Sequence, residues 1–215
     1  MSANGLKLRT LLVEDESSFR KAIEEFSREA PTWQIAFGFT EPLVFSEYVK
    51  QLEGYSRGFG VPKDFVPNTF FVGVVDRVVV GRLSLRHSLN DFLAKVGGHI
   101  GYGVIPSQRN RGYATEMLRQ AIPFCVSLGI EKVLVTCDEH NVGSRKMVEN
   151  CGGIFERIVD CPESVIRKRR YWIDTAGVKG GRPKHSTGST LSAGTPRAMH
   201  ESRHPLRSSI QRPAN

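Results

Sequence analysis

Two arginines flanking one residue, Arg109 and Arg111, are followed at once by Gly112, and this spacing suits the holding of a phosphate. The run at 108–114 lies between an apolar stretch ending at Val104 and an amphipathic stretch starting near Tyr113. Strand, short loop and helix N-terminus in that order leave first-turn amides without partners in the helix. The macrodipole adds roughly half a positive charge there. Gly112 lets an anion come close to the backbone, and guanidinium groups pair with it. The guest this predicts is a pyrophosphate; the alternative is that both arginines are ordinary solvated surface charges.

The elements that must position this loop follow from periodicity. Residues 6–11 alternate apolar and polar and read as a first strand. Phe19, Ile23 and Phe26 give helical spacing over 14–30, closed by Pro31, and Phe45, Val49 and Leu52 do so over 42–52. Residues 54–67 read as a loop, and 69–75 and 78–86 as a hairpin turning at Asp76 and Arg77. A second loop at 87–97 leads to a strand at 99–104, where Gly101 and Gly103 mark a bulge or the close approach of a ligand. The helix over 113–128 contains Pro123, which should kink or shorten it, and Gly129 suits its left-handed end. A strand at 133–137, a short helix at 144–151 and antiparallel strands at 154–159 and 165–173 complete the reading.

Composition narrows the class. At 215 residues the chain can bury a core, and no apolar run reaches the roughly 18–20 residues that span a bilayer. No basic-then-apolar leader opens it, and the four cysteines show neither Cys-x-x-Cys nor zinc spacing; reduced thiols, no metal and a cytoplasmic location are expected. Residues 175–215 carry seven of the thirty Lys and Arg but one acid, Glu201, so six of the eight net positive charges belong there. Few apolar residues accompany them. The division expected is a folded domain at 1–174 and a disordered basic tail at 175–215, with any nucleic-acid contact loose and confined to the tail.

The pattern Arg109-x-x-Gly112-x-Ala114 resembles the acyl-CoA signature of the GCN5-related N-acetyltransferases (GNAT). The stretch at 99–106 resembles that family's fourth strand, and 133–137 its fifth. The run from Asn141 through Ser144, Met147 and Val148 to Gly152 resembles the helix that follows. The resemblance covers about residues 69–160 and is closest to small bacterial acetyltransferases of unassigned substrate. It implies an α/β acyl-CoA N-acyltransferase fold, with a mixed, mostly antiparallel seven-stranded sheet flanked by helices and splayed between strands 4 and 5. It also implies acetyl-CoA as co-substrate and an amine-bearing acceptor, in a monomer or homodimer. Contacts to coenzyme A would come from Val104, Ile105, Arg109, Asn110, Arg111, Gly112, Tyr113, Ala114, Asn141 and Ser144. Asn141 can equally cap the short helix.

The implied reaction moves acetyl to a primary amine by direct transfer in a ternary complex. An alkylammonium is almost wholly protonated at pH 7, and freeing its lone pair costs roughly 4 to 5 kcal/mol. A base helps. The candidates are His99, whose side-chain type titrates near neutrality, and Asp138, Glu139 and His140 at the end of the fifth strand. A hydrogen-bonded structural role is the other reading for His99 and a solvated turn for the rest, while Tyr102 reads either as a residue lining the acceptor side or as a core aromatic. Many relatives place an acidic tyrosine seven residues after the asparagine; here Val148 stands there. Two other classes stay open. One is a non-catalytic acyl-CoA-binding module, suggested by Val148, and the other a nucleic-acid-associated protein led by its tail.

Overall fold

A computed structural model describes residues 5–29, 36, 39, 43–162 and 164–178. Residues 179–215, which hold nearly all of the expected tail, and the stop expected at Pro31 lie outside them. The strands are β1 (Lys7–Thr10), β2 (Asn68–Val75), β3 (Val78–Arg86), β4 (Ile100–Val104), β5 (Lys132–Asp138), β6 (Ile154–Cys161) and β7 (Ser164–Asp174). They form one sheet in the order β1-β2-β3-β4-β5-β7-β6. Every neighbouring pair is antiparallel except β4 with β5.

Helices cover both faces. On one, α1 (Glu16–Glu29) and α2 (Phe45–Ser56) pack Phe19, Phe26, Phe45, Tyr48 and Leu52 on Phe70 and Val72 of β2. On the other, α3 (Tyr113–Ser127) and α4 (Val142–Glu149) pack Met117, Leu118, Met147 and Val148 on Phe71, Leu83, Leu85 and Val135. Successive side chains of a strand point to opposite faces, so Phe70 and Phe71 serve different layers.

The β2–β3 hairpin turns at Asp76 and Arg77, both at positive φ (47° and 66°), which matches the twist of the strands it joins. α3 runs through Pro123 without stopping, because Ala121, Ile122 and Cys125 around it are buried in the core. It ends in a Schellman arrangement: Gly129 N–H donates to Val126 and Ile130 N–H to Cys125, with Gly129 at φ 73°. α2 reaches Ser56, so Gly54 is helical where a loop was expected, and α4 starts two residues early, at Val142.

Two differences bear on the site. The loop at 87–97 contains one turn of π-helix, Leu93–Gly97, against the sheet. Arg86 Nη1 donates to Gly97 and Gly98 carbonyls, Arg170 Nη1 to those of Ala94 and Lys95, and the Thr136 hydroxyl to Val96. The expected bulge at Gly101 and Gly103 is absent from the β3–β4 pairing, which keeps register from Leu85 opposite Ile100 to Gly81 opposite Val104. Gly101 has another physical reason: a Cβ there would come within 3.0 Å of the Arg86 guanidinium.

Candidate functional site

β4 and β5 pair only where Ile100 faces Val135; beyond that point no further β4–β5 register is kept, although both run on. The strands close at Ile100 and part towards Val104. Gly101, Tyr102, Gly103 and Val104 are each partly exposed, unlike the buried residues of β2 and β3. A backbone edge left in this way can hydrogen-bond an extended chain laid along it, since each residue has a donor and an acceptor to satisfy.

The sequence-predicted loop sits at the open end of this wedge. Gly112 is the N-cap of α3 at φ 79° and supplies no side-chain cap, so the first-turn amides of a fifteen-residue helix receive no side-chain oxygen from it. Asn110 is left-handed as well, at φ 61°. Arg111 and Asn110 are exposed, and Tyr113 and Ala114 half-buried. An anion at this cradle would meet amides, a helix dipole and Arg111 together.

Arg109 is engaged with β4 and α1. Its Nε donates to the Val104 carbonyl at 3.2 Å, its Nη1 pairs with Glu29 of α1, and the guanidinium lies 5.8 Å from the centre of the Phe26 ring. Glu25, one turn earlier on α1, accepts from the Ser107 amide at 2.6 Å and the Ser107 hydroxyl at 3.0 Å. Two carboxylates of α1 therefore hold the loop from behind. Ile105 also belongs to the scaffold: its side chain is buried, its N–H donates to Val80 and its carbonyl accepts from Gln108.

Asn141 caps α4, its Oδ1 accepting the Ser144 amide at 2.9 Å. The N-terminus of α4 lies, like that of α3, after the end of a wedge strand. Asp138 pairs with Lys168, Glu139 accepts both Nε and Nη2 of Arg167 at 2.8 and 2.9 Å, and His140 is exposed. Val148 is fully buried.

His99, just before β4, is buried. Its N–H donates to the Leu134 carbonyl at 2.7 Å, and its Nδ1 accepts the Leu134 N–H at 2.9 Å. Burial, and secondly the Arg86 charge, push its pKa down to about 4. With Nδ1 accepting, the neutral ring carries its proton on Nε2 and has no free lone pair for a substrate proton. This geometry speaks against the expected base.

Sequence reasoning missed Glu25, Glu29, Arg82 and Arg86. The last two, with Ser84, form the polar face of β3: Arg82 Nη1 donates to Ser84 Oγ at 3.1 Å and to the Gly101 carbonyl at 3.3 Å. Both arginines are pushed down in pKa, chiefly by burial. The alternation Arg82-Leu83-Ser84-Leu85-Arg86 was the available signal. Glu25 and Glu29 carry none, since their partners lie some eighty residues away.

An anion cradle at a helix N-terminus beside an open strand edge is a donor set that fits a ligand with a phosphate end and an extended arm, as acetyl-CoA has. Among the described residues no cluster of His, Cys, Asp and Glu could hold a metal ion, and no helix is long and apolar enough to cross a membrane.

No curated protein matches the sequence. Solved structures do match the fold. RimJ of Mycobacterium smegmatis, in complex with CoA-disulfide, is 18% identical with a TM-score of 0.59 over 80% of this chain and 83% of that one. YncA of Salmonella typhimurium, a putative acetyltransferase with acetyl-CoA, is 12% identical with a TM-score of 0.53 over 87% and 100%. The ribosomal-protein-S5-alanine acetyltransferase of Vibrio fischeri is 11% identical with a TM-score of 0.56 over 83% and 98%. The sequence itself matches the acetyltransferase (GNAT) domain family over residues 8–154, more than half of its length, and the chain belongs to that family.

Proposed function

We propose that this protein transfers the acetyl group of acetyl-CoA directly to a primary amine held in the same complex. The observation that carries the reading is the wedge between β4 and β5 opening onto the uncapped N-terminus of α3 at Gly112. The amides of residues 112–115 and the Arg111 side chain hold the pyrophosphate. The edge of Gly101–Val104 orients the arm, and Asn141 and Ser144 face it from α4. Arg109 and Ile105 are supports of the cradle rather than ligands.

Acetyl-CoA supplies an acyl group activated as a thioester. The chain's residues fix its carbonyl near β4 amides, which stabilise negative charge on the oxygen. The amine must lose a proton, and His99 is poorly placed to take it. Asp138 and Glu139, tied to Lys168 and Arg167, can orient water at the end of β5, and the exposed His140 can pass a proton to solvent. Several similar structures are named as acetyltransferases of ribosomal proteins, so a protein N-terminal amine is the first acceptor to try.

The test is mass spectrometry of peptide N-termini, amino acids and small amines incubated with acetyl-CoA and the protein. An acetylated amine whose yield grows with enzyme concentration supports the proposal. Acetyl-CoA binding with no acetylated product across the panel would favour the non-catalytic module.

A further inference from the structure

Tyr102 stands at the middle of β4, within the wedge, with its ring against the core that β5, α3 and α4 share. Its hydroxyl is buried and, among the described residues, has no hydrogen-bond partner. The Ser144 hydroxyl of α4 lies beside it and favours its ionised form, but the two do not meet with the geometry of a hydrogen bond. A buried hydroxyl left unmade costs about 1–3 kcal/mol. Such a group is retained at a cost unless something else meets it.

The wedge says what passes this point. β4 runs from the closed end at Ile100 to the open end at Val104, and the anion cradle lies beyond. A chain anchored at Gly112 and laid between the strands must pass Tyr102 and stop near Ile100, about 7 Å further at ~3.3 Å per residue. Tyr102 is therefore beside the terminal part of any such chain. Among the described residues the second orphan tyrosine hydroxyl, Tyr48, belongs to the α1–α2 layer on the opposite face. The neighbouring thiols are poor donors, and Cys151 Sγ is already turned to the Thr115 carbonyl.

We propose that the Tyr102 hydroxyl donates a hydrogen bond to the coenzyme A sulfur and stabilises the thiolate as it leaves. This rests on the acetyltransferase reading above. The amine nitrogen bonds to the acetyl carbon, the carbon–sulfur bond breaks, and its electron pair goes to sulfur. The nitrogen's surplus proton leaves through solvent and returns to give the free thiol, so the phenol shares its proton without surrendering it. Burial raises the Tyr102 pKa, which keeps the phenol neutral and able to donate. The gain is the one that preorganised donors give a developing anion in a dry site.

The experiment uses Tyr102→Phe, which keeps the ring and removes only the oxygen. Because the hydroxyl is unpartnered in the free protein, the variant should melt at or above the wild-type temperature. Bound coenzyme A is then titrated through its thiolate absorbance, with the desulfo-coenzyme A complex as blank. The midpoint should lie about one pH unit lower in wild type than in Tyr102→Phe, a tenfold difference in thiolate stability. Acetyl-CoA affinity should stay within about twofold, and kcat should fall roughly 10- to 100-fold. Equal midpoints in two proteins that bind coenzyme A would overturn the role of Tyr102 and leave acetyl transfer standing. Failure of wild type to bind coenzyme A would overturn both.

Discussion

His99 and Leu134 exchange two hydrogen bonds in which a side chain takes the place of a backbone carbonyl: His99 N–H donates to Leu134, and Leu134 N–H donates to His99 Nδ1. The exchange lies just outside the single β4–β5 pair, Ile100 with Val135. We read the imidazole as the pin at the closed end of the wedge, a positioning role in place of the proton-accepting one its residue type suggested.

Removing the pin should destabilise more than a surface change. His99→Ala leaves the buried Leu134 amide unsatisfied, for a loss of about 1–3 kcal/mol before any cavity cost. His99→Asn offers an oxygen at the position of Nδ1 and should recover most of it. Chemical denaturation of the three proteins at pH 7.5 is the measurement; equal stability of wild type and His99→Ala would contradict the role.

The same residue predicts a pH dependence. Its folded pKa, about 4, lies below the unfolded value near 6.5, so the unfolded chain takes up the proton first as pH falls. The stability is fully present above pH 6.5 and declines towards pH 4, by up to roughly 3 kcal/mol. His99→Asn cannot titrate, and its stability should change less across this window. Parallel curves for the two proteins would show that other groups, such as the half-buried His87, govern the acid limb.

Arg109 and Arg111 should behave differently although two residues apart. Arg111→Ala should weaken acetyl-CoA binding about three- to tenfold, less so at high salt, as expected for an exposed phosphate contact. Arg109→Ala should act through the loop, and its coupling with Glu29→Gln in a double-mutant cycle should be below about 1 kcal/mol, because both groups are substantially exposed. Calorimetry at two salt concentrations separates them. A larger, more salt-sensitive loss from Arg109→Ala would place that guanidinium on the phosphate instead.

What the sequence displayed was local. The β3 bounds and the left-handed Gly129 follow from runs of β-branched residues and from a glycine after an amphipathic helix, signals contained within a few positions. The GNAT family and its sheet were legible because the Arg109–Ala114 loop and its flanking strands lie together in the chain. The π-turn at Leu93–Gly97 was not, because Arg86, Thr136 and Arg170 from three different strands hold it. The bonding of His99 was hidden for the same reason: its partner is Leu134, and no local pattern records a neighbour on another strand.

The domain edge expected at residue 174 also yields a test. The Thr175 amide donates to Glu131, and its hydroxyl bonds to the Ile130 and Glu131 carbonyls at 2.9 and 3.0 Å. Thr175→Val should lower stability by about 1 kcal/mol. We propose that ending the chain after Val178 leaves melting temperature and acetyl-CoA affinity nearly unchanged, since residues 179–215 are rich in Arg, Ser, Gly and Pro and poor in core-forming types. A drop of many degrees on truncation would assign the tail a packing role.

The central claim is that the cradle at Gly112 and the wedge beside it hold acetyl-CoA. Gly112→Asp puts a carboxylate and a Cβ into the cradle at a left-handed backbone position. Titration calorimetry of acetyl-CoA into wild type and this variant, with both first shown to be folded, is the direct measurement. The account predicts measurable binding by wild type and a loss of at least tenfold, about 1.4 kcal/mol, in the variant. Equal affinity in two folded proteins would contradict it.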